Sequence, residues 1–106
     1  MGMRQIPRRL LPHRMEVREP EPGGGYAEAK TIEHVRFERV HTTSADAHRS
    51  DSVGGKVYVD AVMSDGAFEV PVGSRAAIGG ADMTVTTCTA FEGANGRVHH
   101  WELVVS

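Results

Sequence analysis

From Ser74 onward, three strand-forming runs are set apart by two glycine-bearing turns, and this punctuation constrains the fold more than any other feature. The runs cover 74–78, 81–91 and 97–105, divided by Gly79-Gly80 and by Gly93-Ala94-Asn95-Gly96. Glycine and asparagine supply the positive φ that tight hairpin turns require, so the C-terminal part reads as an antiparallel meander. Because successive side chains on a strand point to opposite faces, Trp101, Leu103 and Val105 share one face of the last run and His100, Glu102 and Val104 the other. Trp101 is expected in the core.

The same period of two runs through the N-terminal half. Met15 and Val17 alternate with Arg14, Glu16 and Arg18 until the cluster at 20–25 breaks the strand. Thr31 to Val40 is a second long strand candidate, with Val35 and Phe37 facing one way and Ile32 out of phase, which calls for a bulge. Lys56 to Met63 is apolar on both faces, as in a central strand, and Asp65-Gly66 then marks a turn. Only Tyr26 to Lys30 lines up helix formers, too few to stand alone. The expected fold is therefore mainly β, a small antiparallel barrel or sandwich with one long loop. In 106 residues there is room for one domain, over 13–106, with residues 1–12 as an extended N-terminal arm fixed by Pro7 and Pro12. Residues 41–54 are polar, short in side chain and nearly free of apolar anchors, which marks an exposed loop.

Other classes find little support in the residues. With 40% hydrophobic and 25% charged residues the chain is composed like a globular protein, and its apolar stretches are far shorter than a spanning helix needs. The basic start lacks the apolar core of a secretory signal, and a lone cysteine, Cys88, excludes an intrachain disulfide, so an intracellular product is expected. Cys88 reads as an inert strand residue. A net charge of −2 without a basic face argues against tight nucleic-acid binding. The glycines at 23–25 read as a turn and not a phosphate cradle, which needs a strand before it and a helix start with Lys, Ser or Thr after it. Six histidines invite a metal, but His99 and His100 point to opposite faces and cannot share an ion without a bulge, and no metal or cofactor is expected. No nucleophile elbow, zinc-protease signature or supported catalytic triad is present; Ser44, Asp46 and His48 lie together only on the polar loop. No enzymatic activity is expected.

Three segments, in order, carry a resemblance: Ile6-Pro7-Arg8-Arg9-Leu10-Leu11-Pro12-His13, Thr31-Ile32-Glu33-His34-Val35-Arg36, and Val98-His99-His100-Trp101-Glu102-Leu103. Together they resemble the minor capsid family of tailed phages over nearly the whole chain, with departures at the glycine cluster and at Gly79-Gly80-Ala81-Asp82. The resemblance implies a virion protein of the head-to-tail junction, of the head-completion or stopper type. Such a protein forms a homo-oligomeric ring below the portal and adaptor, binds tail proteins on the other side, and helps retain packaged DNA without sequence-specific contacts and without a membrane. Under it, Arg4, Ile6, Arg8, Arg9 and Leu10 are the candidate inter-subunit arm. Thr42, Thr43, Ser44, Asp46, His48, Arg49 and Asp51 are the candidate channel loop, with small polar side chains suited to a lumen through which DNA passes. The competing expectations are a tail-completion or tail-terminator ring protein and a free-standing small β-barrel binding module. The latter should show an aromatic platform, which Tyr26, Phe37, Tyr58, Phe68 and Phe91 do not form in sequence.

Overall fold

The computed structural model describes residues 4–40 and 54–106. Six strands, β1 (His13–Arg18), β2 (Lys30–Arg39), β3 (Gly55–Asp60), β4 (Arg75–Ile78), β5 (Ala81–Glu92) and β6 (Val98–Val105), follow one another in the chain. All neighbours are antiparallel, and the sheet closes on itself in the order β1-β2-β3-β6-β5-β4, so the mainly β fold is a barrel rather than a sandwich. The strands fall where alternation places them. The two glycine turns join β4 to β5 and β5 to β6; Gly79 and Gly80, at φ of 57° and 86°, make the two-residue connection that only residues tolerant of positive φ support cheaply.

The core shows why period two was so readable. Met15 and Val17, Val57 and Val59, Ala76 and Ile78, Met83 and Val85, and Leu103 and Val105 each supply an i, i+2 pair to the interior. β2 alone departs, burying Ile32 and Val35, three residues apart. A bulge explains the odd spacing. His13 pairs with Val35 and Arg14 with Glu33, which leaves His34 unopposed at φ 61° and puts Ile32 back on the inner face. Each of these positions other than Ala76 removes a Val, Leu, Ile or Met side chain from water, about 1.5–3 kcal/mol apiece.

Two boundaries differ from expectation for identifiable reasons. The central strand stops at Asp60 rather than Met63, because the Asp60 carboxylate accepts the amides of Val62 and Met63 and turns the chain. Trp101 is half-buried at the margin of the core, its indole N–H directed to Glu69 at 3.4 Å, since the adjoining stretch of β5 at Thr89–Glu92 is itself exposed. Cys88 packs partly against the core, and burial pushes its thiol pKa up, away from the reactive thiolate.

Candidate interaction site: the docked N-terminal arm

The turn after β3 is the most densely hydrogen-bonded polar feature among the described residues. Asp60, fully buried, accepts through Oδ1 from the Gln5 side chain (2.8 Å) and from the amides of Val62 and Met63 (2.9 and 2.8 Å), and through Oδ2 from the Ile6 amide (2.8 Å). Ser64 closes the turn: its hydroxyl donates to the carbonyl of His34 and accepts from the Asp60 amide. Glu33 and Asp65 exchange two backbone hydrogen bonds, both 3.0 Å. One turn thus ties the arm to the bulge of β2. Burial opposes the charge on Asp60, but the Met63 and Ile6 amides, the Gln5 side chain and the Val62 amide outweigh it and hold the carboxyl below the usual aspartate range.

The arm residues lie against this turn. Arg4 is exposed, while its carbonyl meets the ring of His99. Ile6 is half-buried beside Asp60. Arg8 reaches the Met63 carbonyl (3.2 Å) and the Asp65 carboxylate (3.1 Å), both at the surface. Arg8 to Leu10 form one 3-10 turn, a local departure from a fully extended arm that lets Leu11 drop to zero exposure. Arg9 and Leu10 stay exposed. Between the arm and the outer face of β2 and β3 runs a groove of about 280 Å³, lined by Ile6, Leu10, Leu11, Arg36, Glu38 and Tyr58. Leu10 lines this groove yet keeps 44% of its surface exposed, and Arg9 is exposed beside it. The candidate channel residues Thr42, Thr43, Ser44, Asp46, His48, Arg49 and Asp51 lie outside the described residues.

Sequence reasoning missed Gln5, Leu11, Asp60 and Ser64. The spacing Asp60-x-x-x-Ser64 after an apolar run was a usable turn signal, whereas Gln5 carries none. It also took His99 and His100 as side chains pointing apart. β6 has a bulge there: Phe91 pairs with His100 and Glu92 with Val98, and the two ring Nδ1 atoms stand 2.8 Å apart. Among the described residues, no group of three or more His, Cys, Asp or Glu side chains gathers as metal ligands.

Among the described residues, the buried polar groups Asp60, Ser64 and His99 tie a turn and an arm to a small closed barrel. Residues 7–105 match the family model described as minor capsid protein, and the chain belongs to this family of phage structural proteins. It is accordingly a component of the virion. No curated protein matches it, and no solved structure does.

Proposed function

We propose that this minor capsid protein is a head-completion, stopper-like component of the head-to-tail connector, forming a ring below the portal and adaptor that joins the tail and helps retain packaged DNA. The observation that carries the reading is the family match along the whole barrel, 7–105. The arm supports it physically. A ring of identical subunits needs a heterologous contact, one patch meeting a different patch on the next copy. Leu10 at 44% exposure beside Arg9, on a segment already anchored by Asp60 and Leu11, is a preformed patch for such a contact. Anchoring lowers the ordering cost that a free arm would meet on binding.

Cryo-electron microscopy of the head-to-tail junction in intact particles tests the proposal. Density for this barrel as a ring between the portal complex and the tail, with residues 41–54 toward the lumen, is the expected result. A ring at the far end of the tail tube would favour a tail-terminator role, and density on the capsid shell would overturn the connector reading.

A further inference from the structure

β5 runs for 12 residues and β4 for 4, so the longer strand outruns its neighbour. β4 pairs with β5 only from Arg75 opposite Thr84 to Ile78 opposite Ala81; just past it, the Val85 amide donates to the Ser74 carbonyl and the Val85 carbonyl accepts from the Gly73 amide. Beyond Val85 the strand keeps β6 on one side, out to Glu92 opposite Val98, and Thr86, Thr87, Thr89, Ala90, Phe91 and Glu92 are exposed. The flanking bonds fix which backbone groups are left over. Thr84 and Ser106 exchange hydrogen bonds between β5 and β6, while the His99 carbonyl accepts from Ala61 on the β3 side. In an antiparallel ladder these directions alternate along each strand. Val104, Glu102 and His100 therefore bond to Thr87, Thr89 and Phe91, whereas Leu103 and Trp101 are turned to β3. Cys88 and Ala90, opposite those two, point their N–H and C=O groups away from β6. Among the described residues, no main-chain group meets them on that side: the chain ahead of β4 comes to Cys88 at its thiol, through the backbone of Val70.

An open strand edge is a template for a further strand, and proteins ordinarily guard one with lysine, proline or an inward charge. Thr87-Cys88-Thr89-Ala90-Phe91 has none of these. We infer that this edge pairs antiparallel with the same edge of a second copy, about a two-fold axis at Thr89, so that the β5–β6 hairpins of two barrels form one continuous sheet. The register follows from the leftover groups. Setting Cys88 opposite Ala90 of the second copy, and Ala90 opposite Cys88 of the second copy, gives each leftover N–H a leftover C=O. The same register sets Thr87 against Phe91 of the other copy, a β-branched residue against an aromatic one, and puts Glu92 across from Thr86, which keeps the two carboxylates apart. Thr89 meets its own counterpart as a non-hydrogen-bonded pair, with Cα atoms about 4.5 Å apart. Such a contact is isologous. It uses other residues than the arm and its groove, so it is separate from the heterologous contact a ring requires, and its failure leaves that reading untouched. Pairing along one short edge buries little area, hence the association should be weak and grow with concentration.

Sedimentation and amide exchange on the full chain, each from dilute to concentrated protein, test the contact. Concentrated protein should sediment as a dimer. The Cys88 and Ala90 amides, unprotected in the monomer, should slow about tenfold or more as the dimer forms, with Thr87 and Thr89 protected throughout by β6. Ala90→Pro removes a donor that β6 does not use, at the kind of edge position where proline is tolerated, and should hold the protein monomeric with Thr89 and Phe91 still protected. Thr89→Lys changes only an exposed side chain; by setting two ammonium groups on the axis it should weaken the dimer about tenfold or more, and mixing it with Thr89→Glu should restore a dimer holding one of each. Protection of Cys88 and Ala90 in the monomer would show the chain covering its own edge and overturn the inference. So would a dimer that leaves these two amides unprotected, or one that Thr89→Lys does not weaken, since the contact would then lie elsewhere. Protein that stays monomeric at every concentration would overturn it as well, and protection of the two amides only in assembled particles would then give the edge to another virion protein.

Discussion

At the scale of single residues, Asp60 carries more of the arm than any basic or apolar side chain within it. Its Oδ2 has one hydrogen-bond partner, the Ile6 amide, and its Oδ1 three. Asp60→Asn can keep the three acceptor contacts on its remaining oxygen, but its amide then meets the Ile6 N–H donor to donor. The expected cost is about 1–3 kcal/mol, read by thermal denaturation, with loss of exchange protection at Ile6 and retention at Val57 and Val59 in β3. Equal loss at all three would mean that Asp60 supports the barrel as a whole and not the arm. The acid dependence follows from the lowered pKa. A carboxyl that ionises more readily folded than unfolded contributes stability in full above its ordinary value, about 3.9, and loses that contribution as pH falls through the folded value. Wild type should therefore release the arm only below the ordinary aspartate range, and Asp60→Asn should lack that step.

At the scale of elements, the bulge in β2 is where the sequence pattern and the chain's geometry meet. His34 sits at φ 61°, a left-handed conformation that costs a side-chain-bearing residue of the L series about 1–2 kcal/mol. Its backbone carbonyl, not its ring, takes the Ser64 hydroxyl. His34→Gly should keep that bond and raise the melting temperature, the relief of strain exceeding the entropy that glycine adds to the unfolded chain. His34→Val should lower it by about 1–3 kcal/mol, since a branched Cβ fits this region worst. A drop for both would show that the ring's 3.7 Å approach to Asp65 matters more than the backbone strain. The strands were legible because a half-buried strand writes its inner face into every second residue, and even the bulge showed itself as Ile32 falling out of step. The site was not. Gln5 meets Asp60 across 55 positions and His99 meets Arg4 across 95, and nothing local in either partner announces the other. A polar network assembled by closure of the barrel becomes visible only once the barrel has been closed.

At the scale of the molecule, that closure depends on a narrow seam. β3 and β6 are paired over six positions, from Gly55 opposite Val105 to Asp60 opposite His100, whereas β1 meets β4 over three, from Glu16 opposite Ala77 to Arg18 opposite Arg75. The last of the three sets two arginines face to face, an arrangement that works against pairing. Arg75 has relief from Asp82 at 3.0 Å and from the Thr84 hydroxyl, while Arg18 is turned to the Ala27 carbonyl. The barrel should accordingly open first between β1 and β4 and keep β3 and β6 together, so that amides of Arg75–Ile78 exchange through a partial opening well below the free energy of global unfolding. Arg18→Glu replaces the like-charge pair with an opposite one and should strengthen the seam by about 0.2–1 kcal/mol, at the loss of the bond to Ala27. Exchange in β4 should then slow by a few-fold, with Val57 and Val59 unchanged. If β4 and β3 instead slow together, the barrel opens as one cooperative unit. In that case an arm latched to the turn after β3 and a seam on the other side of the barrel would report on the same event.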